Sequence, residues 1–193
     1  MHSKPRLISR DDVVLVVVDI QDRLAAIMER RDAVIRSASR LARTAAMLEA
    51  PVIVTRQYPK GLGDTVPELR SLFEGLVEQG ARVHGVDKTA FCCAGEDGFN
   101  EALHATGRRQ VVLVGMETHI CVTQTALVLA TQDYDVHVVA DACCSRELTA
   151  HEVALDRLRC SGISVTTSES VMYEAVARAG TDEFRQLLSI VKE

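Results

Sequence analysis

Short runs of β-branched residues alternate with helix-length segments about six times along this chain of 193 residues. The runs VVLVVVD and RQVVLVGM are continuous and apolar, which is typical of strands buried on both faces of a parallel sheet. Predicted strands lie at 13–19, 51–57, 80–88, 109–116 and 134–143, and the stretch 163–171 supplies a sixth strand together with the cap of a following helix. Further helices are predicted at 32–50, 96–107, 118–133 and 147–162. This order predicts an α/β fold with three layers, in which helices cover both faces of a six-stranded, mostly parallel sheet. No repeat or linker interrupts the pattern, so a single domain is expected over residues 1–193.

The charge and hydropathy of the chain argue against two classes of partner. A formal net charge of −5 is opposite in sign to what a nucleic-acid-binding protein needs, so no nucleic-acid partner is expected. No apolar run approaches the roughly 20 residues that span a bilayer. The N-terminus, MHSKPRLISRDD, has no apolar core of a signal peptide. We therefore expect no membrane association and a cytoplasmic location.

The cysteines are too few and too irregularly spaced for a disulfide scaffold. There are six of them, without a C-x-x-C pair, and the spacing also argues against a structural zinc site. In a reducing compartment the ordinary role of each is that of a small buried apolar side chain. The question is which cysteine departs from that role.

Three reactive residue types follow predicted strands at the edge where open α/β sheets bind ligands. Asp19 closes the first strand, Lys88 follows the third, and Cys121 follows the fourth at the start of a helix. Taken singly, each has an ordinary reading as a helix cap, a solvated lysine or a packing residue. Together they can perform acyl transfer, because the helix N-terminus and the ammonium favour a thiolate while the carboxylate takes the proton. The strand-to-helix turn also offers backbone N–H groups for an oxyanion.

Other cysteines and histidines fit a site less well. His119 is two residues from Cys121, and helical neighbours at that spacing point apart, which argues against a Cys/His dyad. Cys92 and Cys93 lie near the expected pocket, where one of them could line it, although packing in the core is favoured. The pair Cys143–Cys144 lies at the end of the fifth strand with no base nearby.

The motifs VVVDIQDRL, DKTAF and GMETHICVTQTALVLATQDYDVHVVADAC resemble those of the isochorismatase-like cysteine hydrolases, which include nicotinamidases and N-carbamoylsarcosine amidohydrolase. The resemblance covers nearly the whole chain, and the pairing of D-x-Q with G-x-x-T-x-x-C is specific. It implies that Asp19 is the base, Lys88 the activator and Cys121 the nucleophile. It also implies a sheet in the order 3-2-1-4-5-6.

The same resemblance implies a cis peptide bond between Met116 and Glu117. The Glu117 N–H would then point to the same place as the Cys121 N–H, so Glu117 and Thr118 are expected at the oxyanion and substrate site. Metal-dependent nicotinamidases carry Asp and His ligands after the second strand, whereas this chain has TRQYPKGLGD there. We therefore expect no catalytic metal and no cofactor.

The favoured function is that of a cofactor-free cysteine hydrolase that cleaves a C–N bond of a small amide or carbamoyl compound through a thioester. Two alternatives stay open: a vinyl ether hydrolase of the isochorismatase type, and a non-enzymatic interaction protein on the same scaffold. The family resemblance and the apolar stretch ALVLATQ also indicate a homo-oligomer.

The pocket is expected to draw on aromatic and polar residues near the three reactive ones. Phe91 follows Lys88 and could form a stacking wall or belong to the core, and Tyr58 lies in the Gly- and Pro-rich loop 58–68. Gln21 could orient either Asp19 or the substrate. The motifs around Lys88 and Cys121 contain no arginine, and Arg56, which precedes the loop, is the arginine that could reach the site, so a neutral small-molecule substrate is favoured over a dianion.

Overall fold

Six parallel strands form the middle layer of the fold. The structure is a computed structural model that describes residues 7–192. The strands are β1 (Val13–Val18), β2 (Val52–Gln57), β3 (Val83–Lys88), β4 (Gln110–Met116), β5 (Asp135–Cys144) and β6 (Ser164–Thr166). Their order is β3-β2-β1-β4-β5-β6, and every neighbouring pair is parallel. The predicted strand order is thus confirmed.

Helices cover both faces of this sheet. They are α1 (Asp22–Ala25), α2 (Arg31–Met47), α3 (Pro59–Leu62), α4 (Pro67–Glu78), α5 (Asp97–Ala105), α6 (Thr123–Thr131), α7 (Leu148–Cys160), α8 (Ser168–Val176) and α9 (Asp182–Lys192). Residues of α2, α4, α8 and α9 bury one face together with Val13, Leu15 and Val17 of β1. Residues of α5, α6 and α7 bury the other face with Val14 and Val16. Successive β1 side chains therefore supply two cores, as expected for a strand that is apolar throughout.

Three elements differ from their predicted extent. The predicted loop 58–68 contains the short helix α3 and the first turn of α4, which Pro67 opens at a position where proline is favoured. The sixth strand ends at Thr166, because the Thr167 hydroxyl accepts a hydrogen bond from the Ser170 N–H and caps α8. The predicted helix 118–133 begins with a π-helical turn at Thr118–Val122, and the α-helix α6 follows it.

The central strands β1 and β4 approach each other closely at Gly115. Its φ is +127°, and a Cβ atom built there would lie 1.9 Å from the carbonyl oxygen of Val18. Val18 and Gly115 are also register partners, and the β4–β5 register shifts between Leu113 and Gly115. Only glycine allows this approach, which brings the end of β1 beside the end of β4.

Within residues 7–192, no helix is long and apolar enough to cross a membrane.

Candidate active site

The three reactive residues predicted from the sequence lie at the carboxyl edge of the sheet. Asp19 directly follows β1, Lys88 is the last residue of β3, and Cys121 lies in the π-helical turn after β4, called the Cys121 turn below. Strand β2 separates β1 from β3, so the Lys88 side chain has to reach across β2 to meet Asp19. Neighbouring strands are about 4.8 Å apart, so β3 and β1 are separated by about twice that distance, which the Lys88 and Asp19 side chains span together.

Asp19 and Lys88 form a buried ion pair. The Lys88 Nζ is 2.7 Å from Oδ2 of Asp19, and both side chains are 0% exposed. A buried carboxylate is stable only when an opposite charge and hydrogen bonds compensate the lost hydration.

Alternate residues of β2 complete the surroundings of this pair. The Thr55 hydroxyl donates to Oδ1 of Asp19 at 2.7 Å, and Lys88 Nζ donates to Oε1 of Gln57 at 2.6 Å. Lys88 also donates to the carbonyl oxygens of Ala90 and Phe91, each at 3.2 Å. These three hydrogen bonds hold the Lys88 ammonium group in place beside Asp19.

The environment opposes ionisation of the Cys121 thiol. The pKa of Cys121 is raised to about 12, first by burial and then by the Asp19 charge, whereas the Lys88 charge acts in the opposite direction. Burial also lowers the pKa of Lys88, but Asp19 and the nearby thiols outweigh it, so the pKa of Lys88 is raised. The expected thiolate is therefore wrong: a residue that is 6% exposed and beside a carboxylate keeps its proton at neutral pH.

Three consecutive residues, beginning just before the Cys121 turn, form hydrogen bonds with the segment 145–151. The carboxylate of Glu117 accepts hydrogen bonds from the Arg146 N–H at 2.9 Å and Nε at 3.1 Å. Thr118 Oγ1 is 2.9 Å from Nδ1 of His151. His119 Nδ1 is 2.8 Å from the Ser145 hydroxyl. The peptide bond between Met116 and Glu117 is cis.

The predicted binding residues differ in how they are placed. Phe91 and Tyr58 are 57% and 54% exposed, so Phe91 does not belong to the core. Both lie next to Lys88, since the Phe91 carbonyl accepts from its ammonium and the Tyr58 N–H donates to its carbonyl at 2.8 Å.

Gln21 serves the main chain. Its amide donates to the carbonyl oxygens of Gln57 and Gly63 and accepts from the Gln57 N–H, all within 3.0 Å. Its expected contact with the Asp19 side chain is therefore not formed, because both amide N–H groups are committed to the backbone. Gln21 thus braces the loop after β2 against the end of β1.

The other residues considered from the sequence lie as follows. Arg56 pairs with Asp64 and Asp87, each at 2.7 Å, so its guanidinium is occupied at the rim. Cys93 is fully buried, with its sulfur 3.9 Å from the Thr55 hydroxyl, and packs in the same core as Cys121. The buried pair Cys143–Cys144 lies within β5. Across residues 7–192, no three His, Cys, Asp or Glu side chains are grouped as metal ligands.

Four residues that contact this site were missed in the sequence. Thr55 and Gln57 alternate on β2, and the period of two could have indicated that they face the same way as neighbours of Asp19. Arg146 and His151 carry no such signal, because they come from the segment after β5, whose position depends on the chain connection.

A comparison with families of known proteins assigns the chain. A family model described as the isochorismatase domain matches residues 13–170. The chain belongs to the isochorismatase domain family. Isochorismatase domain-containing protein 2 of Xenopus laevis is 38% identical over 180 residues, which cover 93% of this chain and 83% of that protein. Isochorismatase domain-containing protein 1 of Danio rerio is 37% identical, and this chain spans 60% of its length.

Solved structures show how well this isochorismatase domain retains its fold. The MAR1 ribonuclease of Caenorhabditis elegans superposes with a TM-score of 0.86 at 32% identity, covering 97% of this chain and 93% of that one. YcaC of Escherichia coli, an octameric hydrolase of unknown specificity, superposes with a TM-score of 0.85 at 25% identity, covering 97% and 92%. The resemblance inferred from the motifs is confirmed.

The buried thiols of this isochorismatase domain predict a loss of stability in alkali. Burial raises the pKa of Cys93 and Cys144 to about 11 and of Cys121 to about 12, from a value of 9.0. The unfolded chain therefore releases protons above about pH 9 that the folded chain retains, so stability is present below that pH and is lost as pH rises toward 11–12. We expect about 1 kcal/mol of lost unfolding free energy per thiol at about pH 10.

Urea unfolding at pH 8 and at about pH 10 measures this loss. Cys93→Ala should reduce the pH dependence, because it removes one of the buried thiols. Cys160→Ala is the matched control, since Cys160 is exposed. An equal pH dependence in both variants would contradict the prediction.

Proposed function

We propose that this isochorismatase domain is a cysteine hydrolase that cleaves a C–N bond of a small amide or carbamoyl compound. The observation that supports it is the buried carboxylate of Asp19, which lies 2.7 Å from Lys88 and close enough to Cys121 for its charge to raise the pKa of the thiol. Base, cation and nucleophile are thus in contact at the edge where parallel sheets bind ligands.

In the first half of the reaction, Asp19 takes the proton of Cys121 as the sulfur attacks the carbonyl carbon. The new C–S bond forms while the electron pair of the C=O bond moves to oxygen, and the backbone N–H groups of Glu117 and Cys121, beside Thr118, are the proposed donors to that oxyanion. The C–N bond then breaks, and Asp19 passes its proton to the departing nitrogen. The products of this half are ammonia or an amine and a thioester on Cys121.

In the second half, water replaces the amine. Asp19 removes a proton from the water as its oxygen attacks the thioester carbonyl, and the C–S bond breaks. The acid is released, and the proton returns from Asp19 to the sulfur. The same base therefore acts twice, and Lys88 is the proposed cation that holds the Asp19 carboxylate in place for both steps.

A neutral substrate agrees with the charges around the site. Arg56 is occupied by Asp64 and Asp87, so its guanidinium does not offer the bidentate grip that a carboxylate prefers. The side chains of Phe91 and Tyr58 are both exposed, and both residues are hydrogen-bonded through their main chains to Lys88. They suit an apolar or flat substituent of the substrate. An isochorismate-like dianion fits this arrangement less well.

RNA cleavage is the second candidate, because the C. elegans protein of similar fold and 32% identity is a ribonuclease. The net charge of −5 weakens this candidate, since polyanion binding depends on unpaired cations.

A pure interaction protein is disfavoured because Asp19, Lys88 and Cys121 are all present. A homo-oligomer stays a prediction, supported by the octameric E. coli YcaC and by the exposed Val128 in the stretch ALVLATQ.

A screen of neutral and anionic small amides, followed by ammonia release, tests the proposal. We expect turnover of at least one neutral amide, and Cys121→Ala should lower kcat by about 10³-fold or more. Cys160→Ala removes an exposed thiol and should keep full activity. Full activity of Cys121→Ala would overturn the mechanism. Turnover limited to amides that carry a carboxylate would overturn the charge argument. RNA cleavage that depends on Cys121, without hydrolysis of any amide, would favour the second candidate.

A further inference from the structure

A chain of polar side chains, two of them buried, connects the start of α2 with the Cys121 turn. Arg30 Nη1 is 3.4 Å from Nε2 of His151, and Nδ1 of the same ring is 2.9 Å from the Thr118 hydroxyl. His151 is 4% exposed and Thr118 is fully buried. These three residues come from separate parts of the chain: the residue before α2, the first turn of α7, and the residue that opens the Cys121 turn.

The hydrogen-bond chemistry of this chain assigns its protons. A guanidinium only donates, so Nε2 of His151 has to accept, and the ring proton is then on Nδ1. The Nδ1–H consequently donates to Oγ1 of Thr118. Burial lowers the pKa of His151 and the charge of Arg30 lowers it further, which agrees with a neutral ring.

Thr118 is a position from which small displacements reach the nucleophile. Its carbonyl oxygen accepts a hydrogen bond from the Thr123 hydroxyl at 2.6 Å, so side chain and main chain are both held. Three residues further along the same turn lies Cys121, whose thiol has to stay beside Asp19. A reacting group that moves by about 1 Å can lose about 100-fold in rate.

We propose that His151, fixed as the Nδ1–H tautomer by Arg30, is a positioning residue that holds Thr118 and thereby keeps the Cys121 thiol against Asp19. The kinetic part of this inference rests on the proposed amide hydrolysis. The geometric part does not, because it concerns where the thiol lies. Release of the turn should let the thiol move out of its buried position beside the Asp19 carboxylate. Burial and that carboxylate are the two influences that raise the pKa of Cys121.

Two isosteric variants separate the two contacts of the ring. Asparagine carries its amide nitrogen as many bonds from Cβ as Nδ1 is, so His151→Asn can still donate to Thr118. Glutamine reaches the position of Nε2 and not that of Nδ1, so His151→Gln keeps only the contact with Arg30. His104→Gln is the control, since His104 is exposed on α5.

We expect His151→Gln to lower kcat by about 10- to 100-fold, with KM changed less than about twofold. The same variant should speed the alkylation of Cys121 by iodoacetamide at pH 8 by about fivefold or more. His151→Asn should lie near the wild type in both measurements. Thr118→Val removes the same contact from the other side, and combining it with His151→Gln should cause no further loss.

The alkylation rate, read by mass spectrometry of the Cys121 peptide, keeps the two proposals distinguishable. If no amide is hydrolysed but alkylation follows the expected order, the proposed function fails and the positioning role stands. If His151→Gln behaves like His104→Gln in alkylation, or if His151→Asn is as strongly affected as His151→Gln, the positioning role is overturned. Far-UV circular dichroism establishes that each variant is folded, and Thr118→Val provides the test if His151→Gln is not.

Discussion

Asp19→Asn should abolish hydrolysis and at the same time make Cys121 more reactive toward iodoacetamide. Hydrolysis should fall by about 10³-fold in kcat, because asparagine cannot accept the thiol proton. Alkylation at pH 8 should rise by about tenfold or more, since the carboxylate that raises the pKa of Cys121 is gone and Lys88 remains to stabilise a thiolate. The two effects are opposite because Asp19 has two roles in the proposed mechanism. It is the base that hydrolysis needs, and its charge also disfavours the thiolate form of Cys121.

Asparagine is the suitable replacement for two structural reasons. Asp19 has a φ of +52°, a left-handed conformation that asparagine tolerates better than most residues. Its amide oxygen can also still accept from the Thr55 hydroxyl. Lys88 loses its buried counter-ion, so we expect a loss of about 3 kcal/mol in unfolding free energy, and both assays belong well below the melting temperature.

The matched control is Asp22→Asn, an exposed carboxylate on α1. It should change neither kcat nor the alkylation rate. The measurements are ammonia release from the amide found in the screen and mass spectrometry of the Cys121 peptide over time. If Asp19→Asn were alkylated no faster than Asp22→Asn, the Asp19 carboxylate would not govern the thiol. If it kept full hydrolysis, Asp19 would not be the base.

Gly115→Ala should prevent stable folding. The added Cβ would lie 1.9 Å from the carbonyl oxygen of Val18, and a φ of +127° is unfavourable for any residue with a Cβ. Relief requires β1 and β4 to separate at the centre of the sheet, where both strands are buried on each side. We expect a loss of about 4 kcal/mol or more in unfolding free energy.

Gly85→Ala is the matched control, because Gly85 also lies in a strand, β3, and a Cβ there would have nothing within 4 Å. Its unfolding free energy should stay within about 0.5 kcal/mol of the wild type. Urea unfolding followed by circular dichroism measures both variants, and a poor yield of folded Gly115→Ala agrees with the prediction. Equal stability of the two variants would show that β1 and β4 can adjust to a side chain.

The architecture and the reactive residues were readable in the sequence because they depend on short-range patterns. Continuous β-branched runs indicated buried parallel strands, and helix-length segments between them indicated crossovers on both faces. Parallel strands end at a common edge of the sheet. This places the residues at the ends of strands, Asp19, Lys88 and Cys121, together at the carboxyl edge. The strand order itself came from the family resemblance, since periodicity alone leaves the order of parallel strands open.

Contacts between distant segments carried no comparable signal. His151 and Arg146 meet the Cys121 turn only because the chain after β5 packs against that turn, and nothing in their local sequence shows that. Gln21 was expected at Asp19 or the substrate, but the loop after β2 folds back onto it and occupies its amide. A side chain with several donors and acceptors binds whichever groups the chain brings near, and that depends on the tertiary structure.

The sequence by itself determined the fold class, the edge of the sheet where the candidate site lies and the three side chains that meet there. Only the tertiary structure decided the protonation state of Cys121, the proposed nucleophile. A thiol at the start of a helix beside a lysine predicts a thiolate, yet burial and the Asp19 charge together outweigh both and raise the pKa of Cys121 to about 12. Residue types show which charges are present, whereas the distances between them and their exclusion from water determine which charge dominates.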